Sequence, residues 1–167
     1  YNLNFDLNII LFLILMDITV IGIGKLGLGL SLILEKCGYN VLGVDTNHSY
    51  INSLNNLSFK SLEPEINDYL KKASNFRATT DLQEGLKFSD FIFILVPTPN
   101  GGGDNFYDHS ILSSLFLEIN KLGCRFKHFI IGCTVMPKYI DTIAKSLIDE
   151  SNTISYNPEF VALGEII

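Results

Sequence analysis

From Thr19 to Asp45 the chain reads TVIGIGKLGLGLSLILEKCGYNVLGVD, and no other stretch narrows the possible folds as far. An apolar strand is followed by Gly22, Gly24 and Gly27 in G-x-G-x-x-G spacing, then by a helix, a second apolar strand and an acid. That order predicts a βαβ unit built to approach a nucleotide diphosphate. Gly22 permits a tight turn out of the strand, Gly24 lets the backbone come close to a pyrophosphate, and Gly27 lets the helix pack closely on the sheet. The diphosphate then faces the free N–H groups and positive dipole end of a helix beginning near Lys25. Leu26, Leu30, Ile33 and Leu34 form an apolar stripe along that helix. Asp45 ends the second strand, where a carboxylate accepts hydrogen bonds from both ribose hydroxyls and repels a 2′-phosphate, so NAD is favoured over NADP. A structural glycine turn with no ligand is the alternative, and the strand, helix and acid around it count against that.

The remaining chain alternates strands and helices. Short β-rich runs predict strands at Ile18–Ile23, Val41–Val44, Arg77–Thr79, Phe91–Val96, His128–Gly132 and Thr153–Tyr156. Helices are predicted over Lys25–Cys37, Ser49–Asn56, Pro64–Lys72, Leu82–Lys87, His109–Leu122 and Pro137–Asp149. Pro64 and Pro137 suit a first helical position, and Asp81 and Asp108 suit N-caps. Six strands separated by helices predict an α/β fold: a doubly wound, mostly parallel six-stranded sheet in one domain, with its site at the C-terminal strand ends.

Size and charge fit that expectation. With 167 residues, 47% of them hydrophobic, the chain has enough for one cored domain and too little for a two-domain dehydrogenase. A net charge of −6 and the lack of any basic run argue against a nucleic-acid surface. Cys37, Cys124 and Cys133 show no C-x-x-C spacing and read as free thiols of a reducing cytoplasm. His48, His109 and His128 are isolated, show no metal spacing, and read as surface or capping residues. The run Ile9–Leu15 is shorter than the roughly 20 residues of a membrane span and lacks a preceding positive charge, so no membrane segment or secretory signal is expected. Residues 1–15 are expected to lie outside the fold, upstream of a natural start at Met16, with 16–167 forming the domain; a partner- or membrane-associating segment is the other reading.

Three loops at the predicted strand ends hold the remaining chemistry. Pro97-Thr98-Pro99 leads through a glycine-rich stretch to Tyr107-Asp108. Cys133-Thr134-Val135-Met136-Pro137 follows the fifth strand, and Asn157-Pro158-Glu159-Phe160 the sixth. Taken singly, the prolines end strands and start helices, Thr134 is a strand-end hydroxyl bonded to local backbone, and Glu159 is a solvated acid. Taken together with V-I-G-I-G-K-L-G, in this order, they resemble the NAD-binding half of the UDP-glucose/GDP-mannose dehydrogenase family from the glycine turn to the last residues.

The resemblance implies a Rossmann domain of an NAD-dependent enzyme that oxidises the primary alcohol of a sugar nucleotide, UDP-glucose or similar, to a carboxylate with two NAD. In such enzymes a cysteine thiolate traps the aldehyde as a thiohemiacetal, the second hydride leaves a thioester, and water hydrolyses it. Carried over by residue, Gly22, Gly24, Lys25, Gly27 and Asp45 would hold the adenosine side, with Pro97 and Thr98 against the cofactor. Thr134 and Glu159 would position water and assist proton transfer near the nicotinamide. A cytoplasmic enzyme of polysaccharide biosynthesis, homo-oligomeric at full length, is also implied. The chain departs from the family at two places. Leu163 stands where many members carry a second acid, and Tyr50 where many carry Lys or Arg. The catalytic cysteine of the family lies in a G-G-x-C-x-x-K-D motif of the C-terminal half, and none of the three cysteines here has that context, so the chain alone is expected to be inactive. N-P-E-F is nearer the UDP-glucose and GDP-mannose branches than the N-acetylhexosamine ones, which tend to carry Arg after the Glu. Another NAD-dependent dehydrogenase with a helical second domain, or a non-catalytic NAD-binding module, are the other readings.

Overall fold

A computed structural model describes residues 16–63, 65–103 and 106–158. The predictions that concern residues 1–15, Pro64, Glu159, Phe160 and Leu163 lie outside the described residues. Six strands, β1 (Asp17–Ile21), β2 (Asn40–Val44), β3 (Phe76–Thr79), β4 (Phe91–Ile94), β5 (His128–Ile131) and β6 (Thr153–Tyr156), form one sheet in the order β3-β2-β1-β4-β5-β6. Every neighbouring pair is parallel. The chain runs outward from β1 to β3, then returns to β4 on the other side of β1, so the strand order reverses between β1 and β4. A crevice opens at the C-terminal ends of strands at such a switch point.

The helices α1 (Lys25–Lys36), α2 (His48–Asn55) and α3 (Ile66–Lys72) cover one face, and α4 (Leu82–Phe88), α5 (Ser110–Lys121) and α6 (Tyr139–Thr142) cover the other. Alternation along the strands divides the core accordingly. Ile18, Val20 and Val41 pack with Leu28, Leu32, Ile51 and Leu54, whereas Ile21, Ile94, Phe129 and Ile131 pack with Leu112, Phe116 and Ile119. Burial on both faces is why these strands are short, nearly continuous apolar runs rather than alternating ones.

Four details differ from expectation. The first strand stops at Ile21 and the fourth at Ile94, so Gly22, Ile23, Leu95 and Val96 belong to strand-end loops. The face of α1 turned to the sheet is Gly27, Leu28, Ser31 and Leu32, while Ile33 is 43% exposed and only Leu34 of the predicted stripe packs at the core edge. Small residues win that face because the helix lies close to the sheet, and the Ser31 hydroxyl is absorbed by donating to the Gly27 carbonyl at 2.7 Å. Asp81 caps α4 as predicted, accepting from the Gln83 and Glu84 N–H groups, but at α5 the cap position falls on His109, with Asp108 accepting from the Ser110 N–H at 2.9 Å. The long helix predicted over Pro137–Asp149 is broken into α6 and a 3₁₀ turn, Ala144–Leu147. Lys138 is left-handed at φ 71°. The Thr142 and Ser146 hydroxyls also bond local carbonyls, offering the backbone alternatives to a continuous helix.

Candidate functional site

Each strand-end loop begins with the same device, a backbone N–H donated to the end of the adjacent strand. Gly22 donates to Val44 (2.8 Å), Leu95 to Ile21 (2.8 Å), Gly132 to Ile94 (2.9 Å) and Asn157 to Ile131 (2.9 Å). Parallel register therefore sets the glycine turn and the three proline-containing loops side by side along one edge of the sheet, across the switch point. Residues far apart in sequence reach that edge because the same ladder carries each strand to the same height.

The glycine turn is shaped by contact on one side and left open on the other. Gly22 has φ +86°, and a Cβ there would lie 2.6 Å from the Leu95 carbonyl oxygen. A Cβ on Gly27 would lie 2.1 Å from the Gly22 carbonyl oxygen, so helix and turn are in backbone contact. A Cβ on Gly24 would meet nothing within 4 Å. Gly24 is also the N-cap of α1, which has no side-chain cap and no acid in its first turn. An open backbone surface before an uncapped helix N-terminus fits a diphosphate. Lys25 opens the helix with its ammonium paired to the Glu63 carboxylate, tying the loop after α2 to the turn. That exposed pair adds little stability.

Asp45 follows β2 directly, beside this turn, half-buried, and its carboxylate accepts the Asn47 N–H at 3.0 Å. Asn47 in turn caps α2 by accepting from the Tyr50 N–H at 3.1 Å. Tyr50, where a cation is common in the resembling enzymes, donates its hydroxyl to the Ile23 carbonyl at 2.8 Å and sets its ring edge-on to Phe59. Burial, helped by the Asp45 charge, pushes the phenol up to about 12, so it stays a donor across the physiological range. The brace it makes holds the turn from behind. A cavity of about 330 Å³ lies alongside, between Gly24, Lys25, Tyr50, Phe59 and Ile66.

On the other side of the switch point, Pro97 is exposed and Thr98 half-buried, and the loop carrying them is closed by the Asp108 N–H donating to the Pro99 carbonyl at 2.9 Å. In the neighbouring loop Thr134 is half-buried, the Val135 N–H reaches the Tyr156 hydroxyl at 3.3 Å, and the Met136 N–H donates to His109 Nε2 at 3.0 Å. Gly22, Gly24, Lys25, Gly27 and Asp45 thus form one cluster, and Pro97, Thr98 and Thr134 a second, along the same edge. Asn157 starts the third loop there, and Glu159, two positions on, lies outside the described residues.

The family model of the UDP-glucose/GDP-mannose dehydrogenase family, NAD binding domain, matches residues 16–167. The chain belongs to this family. Its cofactor is NAD. The chain is similar to the UDP-glucose 6-dehydrogenase of Rickettsia conorii, 31% identical over 91% of this chain and 36% of that protein. It is equally similar to the UDP-N-acetyl-D-mannosamine dehydrogenase of Methanocaldococcus jannaschii, 31% identical over 90% of this chain and 36% of the relative. Among solved structures, the UDP-N-acetyl-mannosamine dehydrogenase of Staphylococcus aureus superposes with a TM-score of 0.77 at 27% identity, covering 89% of this chain and 38% of that one. The GDP-mannose dehydrogenase of Pseudomonas aeruginosa shares the fold at a TM-score of 0.79 and 24% identity, over 89% and 37% of the two chains. The chain therefore spans a little over a third of the length of the relatives it matches.

Within this domain of the dehydrogenase family Cys133 and Cys124 are poor nucleophiles. Burial pushes the Cys133 thiol, beside Thr134, up to about 11, and raises Cys124 as well. A thiol that stays protonated at neutral pH is unreactive. Among the described residues no three His, Cys, Asp or Glu side chains gather as metal ligands, and no helix is long and apolar enough to cross a membrane. His48 bonds Thr80, and His128 lies between Thr153 and Ser155 on the sheet. His109 is different. It joins two strand-end loops, a role its sequence position beside a capping acid does not signal.

Proposed function

We propose that the chain is the NAD-binding half of a sugar-nucleotide 6-dehydrogenase of the UDP-glucose type, oxidising a primary alcohol to a carboxylate with two NAD. The observation that carries this reading is the convergence of the glycine turn, the V-P-T-P and T-V-M-P loops and the start of a third loop at Asn157 on one row of backbone hydrogen bonds. Bound NAD supplies the hydride acceptor. Gly22, Gly24, Gly27 and Lys25 take the diphosphate at the mouth of α1, and Asp45 takes the adenosine ribose. Pro97 and Thr98 support the nicotinamide side. Thr134 orients a water without adding charge, and Glu159 exchanges a proton with it. Residues 16–167, the span of the family match, are read as the working domain. The full-length enzyme is read as cytoplasmic and homo-oligomeric, with a sugar nucleotide as its partner.

Phe160 after Glu159 is the feature that favours UDP-glucose or GDP-mannose over an N-acetylhexosamine nucleotide. The test is to join this chain to the remaining part of the Rickettsia conorii UDP-glucose 6-dehydrogenase and, separately, to that of the Methanocaldococcus jannaschii UDP-N-acetyl-D-mannosamine dehydrogenase, and to follow NADH. The first joined enzyme should turn over UDP-glucose with two NADH per sugar; the second should be about tenfold slower or worse with its own substrate. Turnover confined to the second would contradict the substrate assignment.

A further inference from the structure

The two loops on the Thr98 and Thr134 side of the switch point are joined through a single ring. His109 Nε2 accepts the Met136 N–H at 3.0 Å, and the ring stacks on Tyr139, centroids 4.2 Å apart at 25°. Tyr139 is buried and its hydroxyl lies 2.8 Å from the Ser113 Oγ one turn along α5, so the ring has little freedom to swing away. His109 follows Asp108, whose N–H closes the Pro97–Pro99 loop, and Met136 is two residues beyond Thr134. A backbone N–H only donates. Nε2 must therefore present a lone pair, which requires a neutral ring with its proton on Nδ1. Protonation would set a ring N–H against the Met136 N–H and replace a bond with a repulsion.

We propose that neutral His109 is a positioning residue that holds the Thr134 loop against the Thr98 loop, and that protonating it parts the loops and weakens NADH binding. This rests on the cofactor reading of those loops. The ionisable groups facing the ring are Asp108 on its own segment and Tyr139 of α6, which stacks on it; Cys133, of the loop that carries Met136, lies on the Tyr139 side. Near neutral pH only Asp108 is charged. Burial holds the ring below its ordinary value, against the pull of Asp108, so the neutral form persists into mildly acid solution. Packing alone predicts no acid step, because a stacked ring needs no lone pair.

Two variants separate the acceptor from the stack: His109→Phe keeps an aromatic ring over Tyr139 without an acceptor, and His109→Gln keeps an acceptor oxygen that does not titrate. NADH affinity of the 167-residue chain is measured by fluorescence titration from about pH 7.5 to about pH 5.5, with the Met136 amide followed by ¹⁵N NMR without ligand. The native chain should lose about fivefold in affinity on acidification, and His109→Phe should be about fivefold weaker at neutral pH with no acid step. His109→Gln should bind within about twofold of native and show no step either. The Met136 amide should move with ring protonation in the native chain alone. Native affinity in His109→Phe, an acid step retained in His109→Gln, or a Met136 amide indifferent to the ring would each overturn the proposal. Failure of the native chain to bind NADH near pH 7.5 would count against the cofactor reading instead, and the Met136 amide would still decide whether the bridge exists.

Discussion

Gly27→Ala should cost this domain both stability and cofactor, the largest effect of any single methyl group in the glycine turn. The new Cβ would stand 2.1 Å from the Gly22 carbonyl oxygen and 3.0 Å from its carbonyl carbon, and neither atom belongs to a flexible side chain. Helix α1 would have to withdraw from the sheet by about an ångström, or the turn would have to open. Overpacking of this kind costs about 1–3 kcal/mol. The same displacement moves the N-terminal N–H groups of α1 off the diphosphate, so NADH affinity should fall by about a hundredfold or more. Gly24→Ala is the control. Its Cβ would meet nothing within 4 Å in the free domain, so urea unfolding should be nearly native while affinity still drops by about tenfold, because the methyl occupies the surface the diphosphate approaches. Native unfolding and native affinity in Gly27→Ala would contradict the close contact of turn and helix.

The 167-residue chain supplied with NAD and UDP-glucose or GDP-mannose should form no NADH above the uncatalysed rate. In the proposed reaction a thiolate holds the aldehyde between two oxidations; it is expected in a G-G-x-C-x-x-K-D motif, and this sequence contains none. Cys133 is no substitute, since burial keeps it a thiol. Orientation of the reacting groups supplies about 7–11 kcal/mol of barrier lowering in such reactions, and under the proposed function the groups that orient the sugar are expected in the part of the relatives beyond the 36% that this chain matches. Joined to that remaining part, the chain should yield two NADH per sugar, and Glu159→Gln in the joined enzyme should slow turnover more than it weakens NAD binding. NADH formed by the chain alone would overturn the partial-site account and make Cys133 the first residue to replace.

What could be read in advance, and what could not, divides along a physical line. Strand identity and order of elements were legible because both sheet faces are covered, which turns strands into short apolar runs such as FIFI and HFII that need no partner to be recognised. The βαβ unit was legible because turn, close approach and helix entry each demand glycine at a fixed spacing. The buried face of α1 was not. Its composition is apolar nearly all round, so periodicity pointed to the leucine stripe, while distance to the sheet selected Gly27 and Ser31 instead. The break at Lys138 and Ile143 was hidden for a related reason: side-chain hydroxyls competing for backbone carbonyls act through local geometry that a helical pattern does not display. Tyr50 and His109 make their contacts 27 residues away in sequence, to Ile23 and Met136, and such pairings become visible only when the fold brings strand ends together.

The central claim is that this edge of the sheet is an NAD site whose nucleotide choice is made by Asp45. Titrating the native chain and Asp45→Ala with NADH and with NADPH, by calorimetry under one buffer and salt, tests it most directly. The native chain should prefer NADH by about tenfold or more, and Asp45→Ala should weaken NADH binding more than NADPH binding and so narrow the gap. Equal affinities of the native chain for the two cofactors would contradict the claim.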